Sequence, residues 1–86
     1  MEKPVTAEQV REYAYIAFVQ PARRRNQRTV KFSSADIHNG MGLKERYPLV
    51  CSSIDTDKFS KLANVTLVNR EGTDQSNTVS WIFNVE

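Results

Sequence analysis

Eight residues near the C-terminal end constrain this chain most. From Thr78 to Val85 apolar and polar residues alternate, with Val79, Trp81, Phe83 and Val85 on one side. That period of two belongs to a β-strand with one buried face. Upstream, Val65-Thr66-Leu67-Val68-Asn69-Arg70 is also strand-like, and Glu71 to Asn77 between them is polar and contains glycine. The two runs predict an antiparallel hairpin with a long solvated loop. A lone hairpin is marginal in water, so something else must cover its aromatic face. In a chain of 86 residues that cover has to come from the remaining N-terminal part. This length allows one domain and excludes two ordinary ones.

The cover is predicted to be helical. Thr6 reads as an N-cap, and Gln9 three residues later completes a capping box. Val10, Tyr13, Ala14, Ala17 and Phe18 then recur at intervals of three and four, one stripe of a helix. The pair Gln20-Pro21 marks its expected end, because a residue before proline is pushed out of the helical region. A helix over 7–20 follows. Residues 22–28 lack an apolar period and read as an exposed loop. Val30 and Phe32 share a face of a short strand over 29–32. Ser33 and Asp36 repeat the capping-box spacing ahead of a second helix carrying Ala35, Ile37 and Met41, with Gly40 and Gly42 favouring a turn. Pro48 suits the first position of a third helix with Leu49, Val50 and Ile54 on its apolar side. Asp55-Thr56-Asp57 is a break signal, and Phe59 and Leu62 suggest a further helical turn; one helix or two both fit.

The fold class is therefore α+β: three or four helices packed on a small antiparallel sheet, in one domain over 1–86 with an ordered core of about 6–85. The order is helix, short strand, two helical segments and hairpin, with the short strand able to join the hairpin edge. This layout resembles winged helix-turn-helix domains across about residues 7–85. Phe32-Ser33-Ser34-Ala35-Asp36-Ile37-His38 would enter the first helix of the pair, Gly40-Met41-Gly42 would turn, and Tyr47-Pro48-Leu49-Val50 would open the second.

Charge adds a candidate surface. Arg23, Arg24, Arg25, Arg28 and Lys31 lie within nine residues that contain no acid, although the whole chain carries only +2. Arginine suits bidentate contact with phosphate, and Asn26 and Gln27 could add polar contacts. The alternative reading is a solvated loop. The resemblance implies a second surface: in winged helix-turn-helix proteins that bind DNA the third helix enters the major groove. Here that would offer Arg46, Tyr47, Ser52 and Ser53, flanked by Lys44, with Arg70 as a wing contact. Glu45, Asp55 and Asp57 lie close to this helix, and Glu71 and Asp74 follow Arg70 in the wing. That pattern equally suits a winged domain that contacts proteins or acts as a scaffold within a larger chain.

The expected function is thus double-stranded DNA binding of a transcription-regulator kind, as a homodimer or fused to a larger chain, because one monomer offers little contact. The alternative is a non-enzymatic protein-interaction module. Catalysis has little support. Asp36, Asp55, Asp57 and Asp74 suit turns and caps. The only histidine, His38, reads as a surface or core-edge imidazole, and the only cysteine, Cys51, as a buried, inert thiol. They form no metal cluster and no disulfide, and no cofactor or small-molecule ligand is expected. Tyr13, Phe18, Phe59, Trp81 and Phe83 read as core, while Tyr47 beside Arg46 could face a partner. No apolar run approaches the length of about 18 residues that spans a bilayer, and Met1-Glu2-Lys3-Pro4 leads into no signal-peptide core. A cytoplasmic location is the expectation; the glycosylation sequon Asn64-Val65-Thr66 then reads as chance.

Overall fold

The computed structural model describes residues 5–72 and 79–85. Met1 to Pro4, Thr73 to Asn77 of the expected hairpin loop, Asp74 among them, Thr78 at the expected start of the last strand, and Glu86 lie outside the described residues. Those described form four helices and a three-stranded antiparallel sheet. The long helix α1 spans 7–24. Strand β1 (Thr29–Ser33) runs directly into α2 (Ser34–Gly40), followed by α3 (Tyr47–Ile54), α4 (Asp57–Ala63), β2 (Val65–Glu71) and β3 (Ser80–Val85). The sheet order is β1-β3-β2, so the short strand does lie beside the last strand.

Both capping boxes are present. Thr6 Oγ1 accepts the Gln9 N–H while Gln9 Oε1 accepts that of Thr6. Ser33 and Asp36 repeat this exchange, so one residue ends β1 and caps α2. At the end of α2, Gly40 sits under the Tyr13 ring, where an added Cβ would overlap the tyrosine hydroxyl. The contact locks α2 against α1 through a residue without a side chain.

The first helix corrects the expected end at Gln20. It passes through a π-helical stretch, Tyr15–Val19, and continues as α-helix over Gln20–Arg24. Gln20 N–H bonds to Tyr15 O, five residues back, which inserts one extra residue into the turn. Pro21 then occupies a first-turn position of the resumed α-helix, where its missing N–H is tolerated. Residues 22–24, expected in a loop, are consequently helical.

The uncertain region beyond Pro48 resolves into two helices. Thr56 has extended backbone between them, and its hydroxyl donates to Ser53 O at 3.1 Å. All four helices and the inner sheet face meet in one apolar cluster. Phe32 is its hub, with ring centroids 4.8 Å from Phe18, 5.7 Å from Phe83, 5.8 Å from Trp81 and 6.1 Å from Phe59. Register explains why: Val30 pairs with Phe83 and Phe32 with Trp81, so the aromatic faces of β1 and β3 coincide. Truncating such a ring to alanine costs about 3–5 kcal/mol, a large part of the ~5–15 kcal/mol that holds a typical domain. Tyr13 and Phe18 are half-buried at the cluster's edge.

Candidate functional site

The arginine run spans the end of α1 and the approach to β1. The helix stops in a Schellman motif. Asn26 takes left-handed backbone (φ 57°), Asn26 N–H bonds to Arg23 O at 3.1 Å, and Gln27 N–H bonds to Ala22 O at 2.9 Å. Asparagine tolerates this conformation better than most residues. It was the local sign of the true helix end, and Pro21 masked it.

The five cations divide by role. Arg23 reaches forty residues along the chain: its Nη2 donates to Ala63 O at 2.8 Å and to Asn64 O at 3.3 Å. It thereby covers the carbonyl end of α4, where a cation is favoured by the helix dipole. Arg24, Arg25 and Arg28 are exposed around the helix end, and Lys31 is exposed on the sheet face away from the core. No carboxylate pairs with these four among the described residues. A shallow hollow of about 220 Å³ beside them is lined by Arg23, Asn26, Gln27, Arg28 and Val85. Among the described residues its lining offers N–H donors and no acid, a chemistry that suits an anion.

The third helix is differently equipped. Lys44, Glu45 and Arg46 are exposed in the turn that enters it, with Glu45 in left-handed backbone at φ 53°. Tyr47, expected as a free aromatic, is half-buried and stacks on His38 with centroids 4.0 Å apart and planes within 9°. Nearly buried, His38 accepts the Arg46 backbone N–H at Nε2, 3.2 Å away. This pair therefore sets the path of the chain into α3. Ser52 is exposed and its hydroxyl donates to Leu49 O at 3.1 Å. Ser53 corrects the expected exposure: it is buried at 1% and donates to the same carbonyl at 2.6 Å. One residue along a helix turns a side chain by about 100°, and here that step separates solvent from core.

On the β2–β3 hairpin, Arg70 and Trp81 share one acceptor. Trp81 is fully buried, and its Nε1 donates to Asp55 Oδ1 at 2.8 Å. Arg70 Nε donates to the same oxygen at 2.9 Å, and Nη1 reaches Gly72 O at 3.2 Å. The bond to Asp55 holds the Arg70 guanidinium even more firmly charged than usual. Asp55 thus ties the end of α3 to the hairpin. Its sequence context suggested only a turn; the missing clue was that a buried indole N–H needs an acceptor. Nearby Cys51 is buried, and loss of solvent pushes its thiol pKa up, with Asp55 adding to the effect.

The two candidate surfaces lie apart. Val85 N–H bonds to Arg28 O and Thr29 pairs with Asn84 at one end of the sheet. Ser33, Ser80 and Glu71 meet at the other. At about 3.4 Å per residue, β1 separates these ends by roughly 14 Å. Likewise α3 packs on Ala7–Ala14, the opposite part of α1 from Arg24. At 1.5 Å per residue α1 is about 27 Å long.

No group of His, Cys, Asp or Glu that could hold a metal ion occurs among the described residues. None of the described helices is long and apolar enough to cross a membrane. Comparison with protein-family models, curated proteins and solved structures gave no match.

Proposed function

We propose that this chain is a winged helix-turn-helix module that binds double-stranded DNA. Arg24, Arg25, Arg28 and Lys31 hold backbone phosphates, while Lys44, Arg46 and Ser52 supply groove-side contacts at α3. The observation that carries the reading is the group of four exposed cations without a carboxylate partner among the described residues. The strand order β1-β3-β2 behind two consecutive short helices supports the winged layout. Arg23 and Arg70 act as structural ties in this reading, and Tyr47 and Ser53 shape α3 from within. One such module offers little contact area, so dimerisation or attachment to a larger chain belongs to the proposal.

The test is fluorescence anisotropy with a mixed-sequence duplex at about 50 and about 200 mM salt. Four phosphate contacts give a slope of about −3.6 in log K against log salt, so affinity falls roughly 150-fold across that range. Replacing Arg24, Arg25 and Arg28 with alanine removes about three contacts and flattens the slope to near −1. An unchanged slope rejects the phosphate role of this group.

A second reading, a protein-interaction module, is favoured by the sparse charge of α3 and by Leu67 and Val68, 44% and 57% exposed on the edge strand β2. A folded protein that ignores DNA at tens of micromolar would select it.

A further inference from the structure

The helices cover the face of the sheet that carries Phe32, Trp81 and Phe83. The opposite face holds the residues that alternate with these, and register sets them in rows across the three strands. Thr29, Asn84 and Thr66 form one row, and all three are exposed. Lys31, Ile82 and Asn69 form the next, with Ile82 half-buried between two exposed polar residues. Among the described residues the acid of this face, Glu71, lies in the row beyond, with Ser33 and Ser80. Asn69 Nδ2 donates to Glu71 Oε1 at 3.3 Å. The side chains of Thr29, Lys31, Thr66 and Asn84 make no hydrogen bond and no ion pair within the described residues.

The row of Thr29 and Asn84 adjoins the arginine group. Arg28 precedes Thr29, and its carbonyl accepts the Val85 N–H at 2.8 Å, which carries the β1–β3 pairing one residue past that row. At about 3.4 Å per residue, Lys31 stands roughly 10 Å further along β1 from Arg28. A cationic end thus leads onto a polar face with a cation on its edge strand, and the acid lies at the opposite end. The turn into α3, by contrast, sets Glu45 between Lys44 and Arg46.

This charge pattern is complementary to a duplex, in which anionic backbones flank a groove of neutral donors and acceptors. Strands about 4.8 Å apart give the three-stranded backbone a width of roughly 10 Å, and the major groove is about 12 Å wide. Asparagine pairs in bidentate fashion with an adenine edge, and threonine can bond a base or meet the thymine methyl. Asn84 stands on the central strand with Thr29 and Thr66 on either side.

We propose that this outer sheet face docks in the major groove and reads bases. Asn84, Thr29 and Thr66 meet base edges, while Lys31 and the arginines hold the flanking backbone. The assignment rests on the phosphate role of those cations given above, and it adds a second groove-side surface to the one at α3.

The experiment selects a preferred duplex from a random pool with the full chain, then measures binding by anisotropy. Asn84→Ala should weaken the selected duplex about tenfold and leave the salt slope unchanged. Amide NMR of the ¹⁵N-labelled full chain with the same duplex is a second readout that needs no variant. Shifts are expected at Thr29, Thr66, Ile82 and Asn84 as well as over 24–28. A pool that yields no preferred duplex, full affinity in Asn84→Ala, or shifts confined to 24–28 and α3 would each overturn docking by the sheet. In those cases a salt slope that flattens on replacing Arg24, Arg25 and Arg28 would leave the phosphate reading standing. Absence of binding to any duplex would overturn both.

Discussion

Replacing Asp55 tests how the β2–β3 hairpin is held to α3. Its Oδ1 accepts from Trp81 Nε1 at 2.8 Å and from Arg70 Nε at 2.9 Å. Asp55→Ala leaves the indole N–H of a fully buried residue unsatisfied, which costs about 1–3 kcal/mol. The lost ion pair joins side chains that are 29% and 27% exposed and adds about 0.2–1 kcal/mol. Removing an acid from the C-terminal end of α3 returns roughly 0.3–0.5 kcal/mol through the helix dipole. The net expectation is a loss of about 2 kcal/mol. Asp55→Asn retains a carbonyl acceptor for the indole and should cost about 1 kcal/mol, and Arg70→Gln less than about 1 kcal/mol. Urea unfolding followed by the fluorescence of Trp81, the chain's single tryptophan, measures all three. With a slope near 1 kcal/mol per molar urea, the Asp55→Ala midpoint falls by about 2 M. A fall below about 0.5 M would refute the argument. So would Arg70→Gln matching Asp55→Ala, because the ion pair would then outweigh the indole bond.

Two more expectations follow from the same kind of geometry. Arg23→Met should lower stability by about 1–2 kcal/mol through loss of its bonds to the Ala63 and Asn64 carbonyls. It should also alter the salt slope of DNA binding less than Arg24→Met does; an equal effect would contradict its role as a tie. Cys51 makes stability depend on alkaline pH. Burial raises its pKa in the folded state, so above the ordinary thiol value of about 8.5 the unfolded chain loses a proton that the folded chain keeps. Its stabilising contribution is full below that value and is lost as pH rises through the folded pKa, at no more than about 1.4 kcal/mol per pH unit. Urea midpoints between pH 7 and 10 should show this decline, and Cys51→Ala should remove its share of it.

Short-range features of the sequence determined much of the local structure. The capping boxes at Thr6 and Ser33 depend on a side chain and an amide three residues apart. The alternation through Trp81 and Phe83 reflects the strand's own period of two, and the arginine run needs no folding to be recognised. Tertiary structure decided which of these groups remain available. Proline argued for a helix end at Gln20, yet a π-turn carried α1 to Arg24, where Arg23 reaches the end of α4. Ser52 and Ser53 are chemically identical neighbours, and only packing puts one in solvent and the other in the core. Asp55 looked like a turn residue until a distant indole and guanidinium met its carboxylate. Arg11 fell outside the apolar stripe, yet it is only 9% exposed where α1 faces Lys58 and Leu62 of α4. The physical reason is one of range. Caps and periodicities are set by neighbours within a turn or two, whereas hydrogen-bond partners and desolvation depend on which remote segments pack within a few ångströms.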